Sequence, residues 1–168
     1  MSIRIFTDGS SRGNPGPGGW GAIISTEREV IELGGREDHT TNNRMELVAA
    51  INALEYARGG KNADTVDIDG KIELLSDSKY VIMGITEWIM GWQAKGWKTA
   101  GRKAVLNRDL WEKLANAKAG LTVEWKYVAG HAGHYGNERC DEIATRFALG
   151  EDVSLYFGAR EKYRIKLF

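Results

Sequence analysis

The chain has 168 residues, 42% of them hydrophobic, with 23 Lys/Arg set against 23 Asp/Glu; this suits one packed domain and is short for two. A net charge of zero excludes a global positive field that would draw the whole molecule to a polyanion, and a single cysteine, Cys140, excludes an intrachain disulfide. The charge is unevenly placed, because Lys79 to Lys113 holds seven Lys/Arg and three Asp/Glu, so that stretch carries +4 and the remainder −4.

The first eight residues lack the apolar run of a secretory leader, and nowhere do apolar residues approach the roughly 20 needed to cross a bilayer. A cytoplasmic protein without membrane contact is expected. Residues 3–7 alternate apolar and polar and predict a strand, which Asp8-Gly9 and the run Gly13-Asn14-Pro15-Gly16-Pro17-Gly18-Gly19 turn into a loop. Trp20 to Thr26 and Val30 to Leu33 read as two further strands of an antiparallel meander. From Thr41 to Arg58 the period becomes helical: Leu47, Ile51 and Leu54 form a stripe, alanines at 49, 50, 53 and 57 permit close packing, and Gly59-Gly60 ends the helix. After a polar loop with Asp64, Asp67 and Asp69, residues 71–75 make a fourth strand, and Ser76-Asp77-Ser78 has the character of a helix start. Helical segments with Trp88 and Trp92, then Leu106, Leu110 and Leu114, flank a Gly- and Lys-rich connection. Leu121 to Val128 is a fifth strand and Gly136 to Leu149 a last helix. A meander followed by strands separated by helices predicts an α/β domain over residues 1–149, with a mixed five-stranded sheet covered by helices. Residues 150–168 show no clear period and are read as a C-terminal tail that can pack back.

Four acids fall at the end of, or on, different predicted elements: Asp8, Glu46, Asp77 and Asp141. Ends of strands gather on one rim of an open sheet, and carboxylate oxygens are the hard ligands that Mg²⁺ prefers. Each acid also has a plain structural reading. Asp8-Gly9 is a turn dipeptide, Glu46 can belong to a capping arrangement begun by Asn43, Asp77 can cap a helix, and Asp141 can lie on a solvated face beside Glu138 and Glu142. Spacing alone leaves these alternatives open.

Several local sequences, in order, carry more. They are Thr7-Asp8-Gly9-Ser10, the Gly13–Gly19 run, Thr40-Thr41-Asn42-Asn43-Arg44-Met45-Glu46, Ser76-Asp77-Ser78, Gly96-Trp97-Lys98-Thr99, Gly130-His131-Ala132-Gly133-His134 and Gly136-Asn137-Glu138-Arg139-Cys140-Asp141. The chain resembles type 1 ribonuclease H, in its free-standing bacterial form, over roughly residues 3–148. The resemblance implies a ribonuclease H-like fold with a basic protrusion, and hydrolysis of the RNA strand of RNA–DNA hybrids by a two-metal mechanism, leaving 5′-phosphate and 3′-hydroxyl ends. It further implies two Mg²⁺ ions, with Mn²⁺ as a substitute, on Asp8, Glu46, Asp77 and Asp141, and a histidine at His131 that assists proton transfer or product release.

Discrimination of the two strands is implied as well. Asn14, Asn42 and Asn43 match groups that meet the RNA strand, where amides can pair with a 2′-hydroxyl; their structural readings are a turn former and helix capping. Trp88, Trp92, Lys95 and Lys98 match the protrusion that grips the DNA strand, and Thr41, Thr99 and Asn107 match phosphate contacts. For Trp97, packing at the root of the protrusion is the favoured reading. Zinc on His131 and His134 is the weakest metal reading, because two histidines do not make a site. His39 stands where some relatives carry arginine, and the loop around Asp64 to Asp69 is longer than is common. A monomer is expected. The competing readings are a DNA-cutting enzyme of the same superfamily, an idle hybrid-binding module, and a fragment of a polymerase-associated chain.

Overall fold

The computed structural model describes residues 2–59, 70–130 and 133–167. The strands are β1 (Ile3–Ser11), β2 (Gly16–Ser25), β3 (Glu29–Thr40), β4 (Ile72–Ser76), β5 (Val123–Tyr127) and β6 (Phe157–Ala159), and the helices are α1 (Asn42–Ala57), α2 (Lys79–Met83), α3 (Ile89–Ala94), α4 (Arg108–Lys118) and α5 (Tyr135–Ala148). They form one sheet in the order β5-β4-β1-β2-β3-β6. The meander β1-β2-β3 is antiparallel, whereas β4 and β5 run parallel to β1. The sheet therefore has six strands where the sequence predicted five: Phe157–Ala159 of the tail pairs antiparallel with Glu29, Val30 and Ile31 at the edge of β3. Three residues are too few to show a strand period, so only the waiting edge of β3 reveals the pairing.

Alternation along β1 sends Ile3, Ile5 and Thr7 to one side and Arg4, Phe6 and Asp8 to the other. The first side joins Leu47, Leu54, Leu74, Trp111 and Leu114 in the larger core, beneath α1 and α4. The alanines of α1 are fully buried and leave room for the helix to lie close on the sheet. On the second side, Phe6, Ile23, Val30, Leu75, Val128 and Cys140 form a smaller core with Leu167, and Tyr156, Tyr163 and Ile165 of the tail pack on it. Here α5 lies on β1, β2 and β3. Its approach depends on Gly19, where a Cβ would sit 2.2 Å from the Ala144 carbonyl oxygen.

Between α2 and α3 the helix widens into a π-helical turn, Gly84–Trp88, and the chain then enters the basic connection, with Trp97, Arg102 and Asn107 at positive φ. Leu106, placed on a helical stripe by its spacing, precedes α4 and is 80% exposed. No helix among the described residues is long and apolar enough to cross a membrane.

Candidate active site

Asp8 lies inside β1, opposite Gly21 of β2, so Asp8-Gly9 is strand and not turn; the strand runs on to Ser11. Gly9 permits the next element to arrive, since a Cβ there would lie 2.3 Å from the backbone nitrogen of Glu46. Any side chain at 9 would push α1 and its Glu46 away from Asp8. The cap of α1 is Thr41, whose hydroxyl accepts from the Arg44 amide at 3.2 Å, which leaves Glu46 free of a capping role. Asp77 stands at the corner between β4 and α2, where Ser78 takes the cap by accepting from the Val81 amide, and Ser76 Oγ accepts from the Ser78 amide. The two serines do the local work, and the Asp77 carboxylate points elsewhere.

Carboxylate oxygens of Asp8, Glu46 and Asp77 lie within 4.8 Å of one another. Asp8 and Glu46 are each only 4% exposed. Burial holds the Asp8 carboxyl up at about 8, against an ordinary 3.8, and the charges of Asp77 and Asp141 add to it. Glu46 is held well above its ordinary range by burial and then by Asp8, and Asp77 is raised by burial with Asp141 contributing. Asp141, half-buried on α5, stands outside the tight trio but close enough for its charge to be felt by both aspartates.

Acids crowded in this way are costly without a cation. Glu46 Oε2 is buried and has no hydrogen-bond partner among the described residues. Hard oxygen donors, one of them orphaned, on three separate elements fit a divalent metal. The folded protein keeps a proton on Asp8 up to about pH 8, whereas the unfolded chain releases it near pH 4. Metal-free protein should therefore lose stability as pH rises through that window. Melts in EDTA and in saturating Mg²⁺ should show a larger metal-dependent gain at pH 8 than at pH 5.5, by on the order of 5 °C; equal gains would count against the trio as the metal site.

Asn14 Oδ1 accepts from the Asn42 amide at 3.0 Å, which ties the Gly/Pro loop to the start of α1. Asn42 and Asn43 are exposed, and because Thr41 caps the helix neither is spent on capping. Trp88 and Trp92 stack with centroids 5.8 Å apart, Trp92 also meets Trp97 and Trp111, and Trp88 stays 37% exposed. Lys95 and Lys98 are exposed, and with Arg102 and Lys103 they form no ion pair among the described residues. Thr99 Oγ1 accepts from the Lys103 amide, closing a small turn. His131 and the loop of Asp64 to Asp69 lie outside the described residues.

One connection was not read from the sequence. Arg44, two residues before Glu46, makes a two-pronged bond to Asp109 at 2.8 and 3.0 Å and also donates to Asn107 Oδ1. Asn107 Nδ2 in turn donates to the Tyr80 hydroxyl, as does Trp111 Nε1. The only available signal was an arginine in the first turn of a helix, where cations are unfavourable unless paired.

The RNase H family model matches residues 1–148. Ribonuclease H of Thermosynechococcus vestitus is 51% identical over 152 residues, covering 90% of this chain and 91% of that protein. Among solved structures, LC9-RNase H1, a type 1 RNase H with the type 2 active-site motif, superposes with a TM-score of 0.77 at 33% identity, covering 92% of this chain and 76% of that one. LC11-RNase H1, solved in complex with RNA/DNA hybrid, gives a TM-score of 0.62 at 25% identity, covering 88% and 97%. A mixed sheet with acids gathered on its rim defines a divalent-metal hydrolase site. The chain belongs to the RNase H family, the endoribonucleases that hydrolyse the RNA strand of RNA–DNA hybrids.

Proposed function

We propose that this chain cuts the RNA strand of RNA–DNA hybrids using two Mg²⁺ ions held by Asp8, Glu46, Asp77 and Asp141, with Mn²⁺ able to substitute, and leaves 5′-phosphate and 3′-hydroxyl ends. The observation that carries this reading is the convergence of three acids from three elements to within 4.8 Å, two of them buried. When bound, the cations supply an activated water and neutralise charge at the leaving 3′ oxygen. Asp8 and Glu46, fixed on strand and helix, set the floor of the site, while Asp77 and Asp141 offer more accessible oxygens above it. His131, by the family resemblance, carries a proton at the leaving group or eases product release.

Substrate is held on both sides of the acids. Asn14, Asn42 and Asn43 present amides to the 2′-hydroxyls of the RNA strand, with Thr41 and Asn107 at phosphates. Lys95, Lys98 and Thr99, with Trp88 and Trp92, meet the phosphates and deoxyriboses of the DNA strand, which accounts for substrate binding by a chain of zero net charge. One chain supplies every acid, so a monomer suffices. The test is cleavage of end-labelled RNA–DNA, RNA–RNA and DNA–DNA duplexes in Mg²⁺ and in EDTA. Only the RNA of the hybrid should be cut, and only with metal; scission of DNA–DNA, or cutting that survives EDTA, would overturn the reading.

A further inference from the structure

On the sheet side that carries α5, the helix covers β1 to β3 and leaves the faces of β4 and β5 largely open. A cavity of about 590 Å³ occupies this gap, a size suited to a small organic ligand. Its floor is the in-register pair Phe6 and Leu75, both buried, one strand step below Asp8 and Asp77 on the same face. Two residues of strand advance about 7 Å, so Arg4 and Glu73 lie a further step away from the acids. The far end is closed by Lys166 and Leu167 of the tail. These two residues lie beyond residue 148, where the family match ends.

The chemistry of the lining is specific. Arg4, Lys126 and Lys166 contribute three cations against one carboxylate, Glu73, an excess of two positive charges. Glu73 is already shared between Arg4 at 2.8 Å and Lys126 at 2.6 Å, and Lys166 is exposed and in no ion pair among the described residues. Tyr135 forms the wall and is 57% exposed, whereas Tyr127, one residue from Lys126 on β5, turns its ring to the opposite sheet face, where Lys79 Nζ lies 5.4 Å from the ring centroid. A dianionic phosphate matches the charge, and a flat base matches the exposed Tyr135 ring.

We propose that this cavity is a second, non-catalytic site that binds a nucleotide phosphate monoester, with the phosphate among Arg4, Lys126 and Lys166 and the base against Tyr135. The ligand is either a free mononucleotide or the 5′-phosphorylated end of an RNA strand, which share this chemistry. Binding here needs no metal and does not depend on hybrid cleavage.

The experiment is a titration of the full chain in EDTA, followed by amide NMR, with uridine 5′-monophosphate, uridine, and a 5′-phosphorylated tri-uridine RNA. The monophosphate should shift the signals of Lys126, Tyr127, Tyr135 and Lys166, and uridine should bind at least about tenfold more weakly, as expected for loss of charge-assisted hydrogen bonds. Lys166→Glu should weaken the monophosphate by about tenfold or more, whereas Lys113→Glu, the same charge change on exposed α4, should leave it unaltered. Tighter binding of the trinucleotide than of the monophosphate assigns a strand end, and equal binding assigns a free nucleotide. Shifts confined to the protrusion or the acids, uridine binding equal to the monophosphate, or equal effects of the two lysine variants would overturn the proposal. Because the measurement excludes metal, a failure here is separate from any failure of hybrid cleavage.

Discussion

Asp77→Asn should lower hybrid cleavage by about a thousandfold or more, since a metal-held transition state accounts for several kcal/mol and each 1.36 kcal/mol is tenfold in rate. Binding of hybrid in EDTA should stay within a few-fold of the parent, because the side chain leaves the proposed duplex grips untouched. The same change should raise the melting temperature of the metal-free protein: Asp77 is one of the charges that hold Asp8 and Glu46 protonated, and its removal relieves a buried repulsion. A variant that is slow yet more stable separates the loss of a metal ligand from damage to the fold. Single-turnover cleavage, equilibrium binding and melts in EDTA provide the three readings. Near-normal turnover would remove Asp77 from the site.

Arg139→Ala should cost about 3–5 kcal/mol of stability, the scale for leaving a buried charge without its partner. Glu32 is 4% exposed on β3 and accepts from Arg139 Nε at 2.9 Å and Nη2 at 3.0 Å, from the Tyr156 amide at 3.0 Å and from the Tyr163 hydroxyl at 2.7 Å. Burial pushes its carboxyl up, but these four donors outweigh burial and hold it below the ordinary value. A lowered folded value means that the stabilisation is present above the usual carboxyl range and is lost as pH falls through it. The penalty of Arg139→Ala should therefore shrink in acid, as Glu32 takes a proton. Denaturant melts at pH 7 and pH 3.5 decide the point, and a penalty independent of pH would show that Arg139 acts by packing alone. Tyr163→Phe, which removes a single donor, should cost less, about 1–3 kcal/mol.

The parts of this molecule legible in the sequence are those with long, consistent signals. The alternation in β1 and the alanine-rich stripe of α1 each extend over enough residues to set their period, and of the four acids singled out at the end of, or on, different elements, Asp8, Glu46 and Asp77 converge. What could not be read depends on partners remote in the chain. β6 exists because β3 has a free edge, and Glu32 is a buried anchor only because Arg139 and Tyr163 arrive from more than 100 residues away. Nor could sequence decide whether Asp77 or Ser78 caps α2, since both are good caps and only the geometry assigns the hydroxyl to that task. The π-helical turn left no trace in the spacing of apolar residues. Leu106 continued a helical stripe that the backbone abandons.

The bond from Arg44 to Asp109 and Asn107 fastens the first turn of α1 to the start of α4. Asn42 and Asn43 stand on one jaw of this clasp and Asn107 on the other, so the gap between them is set by the protein and not by whatever enters it. The spacing of these side chains is therefore a property of the folded chain itself, fixed by one arginine before any partner arrives.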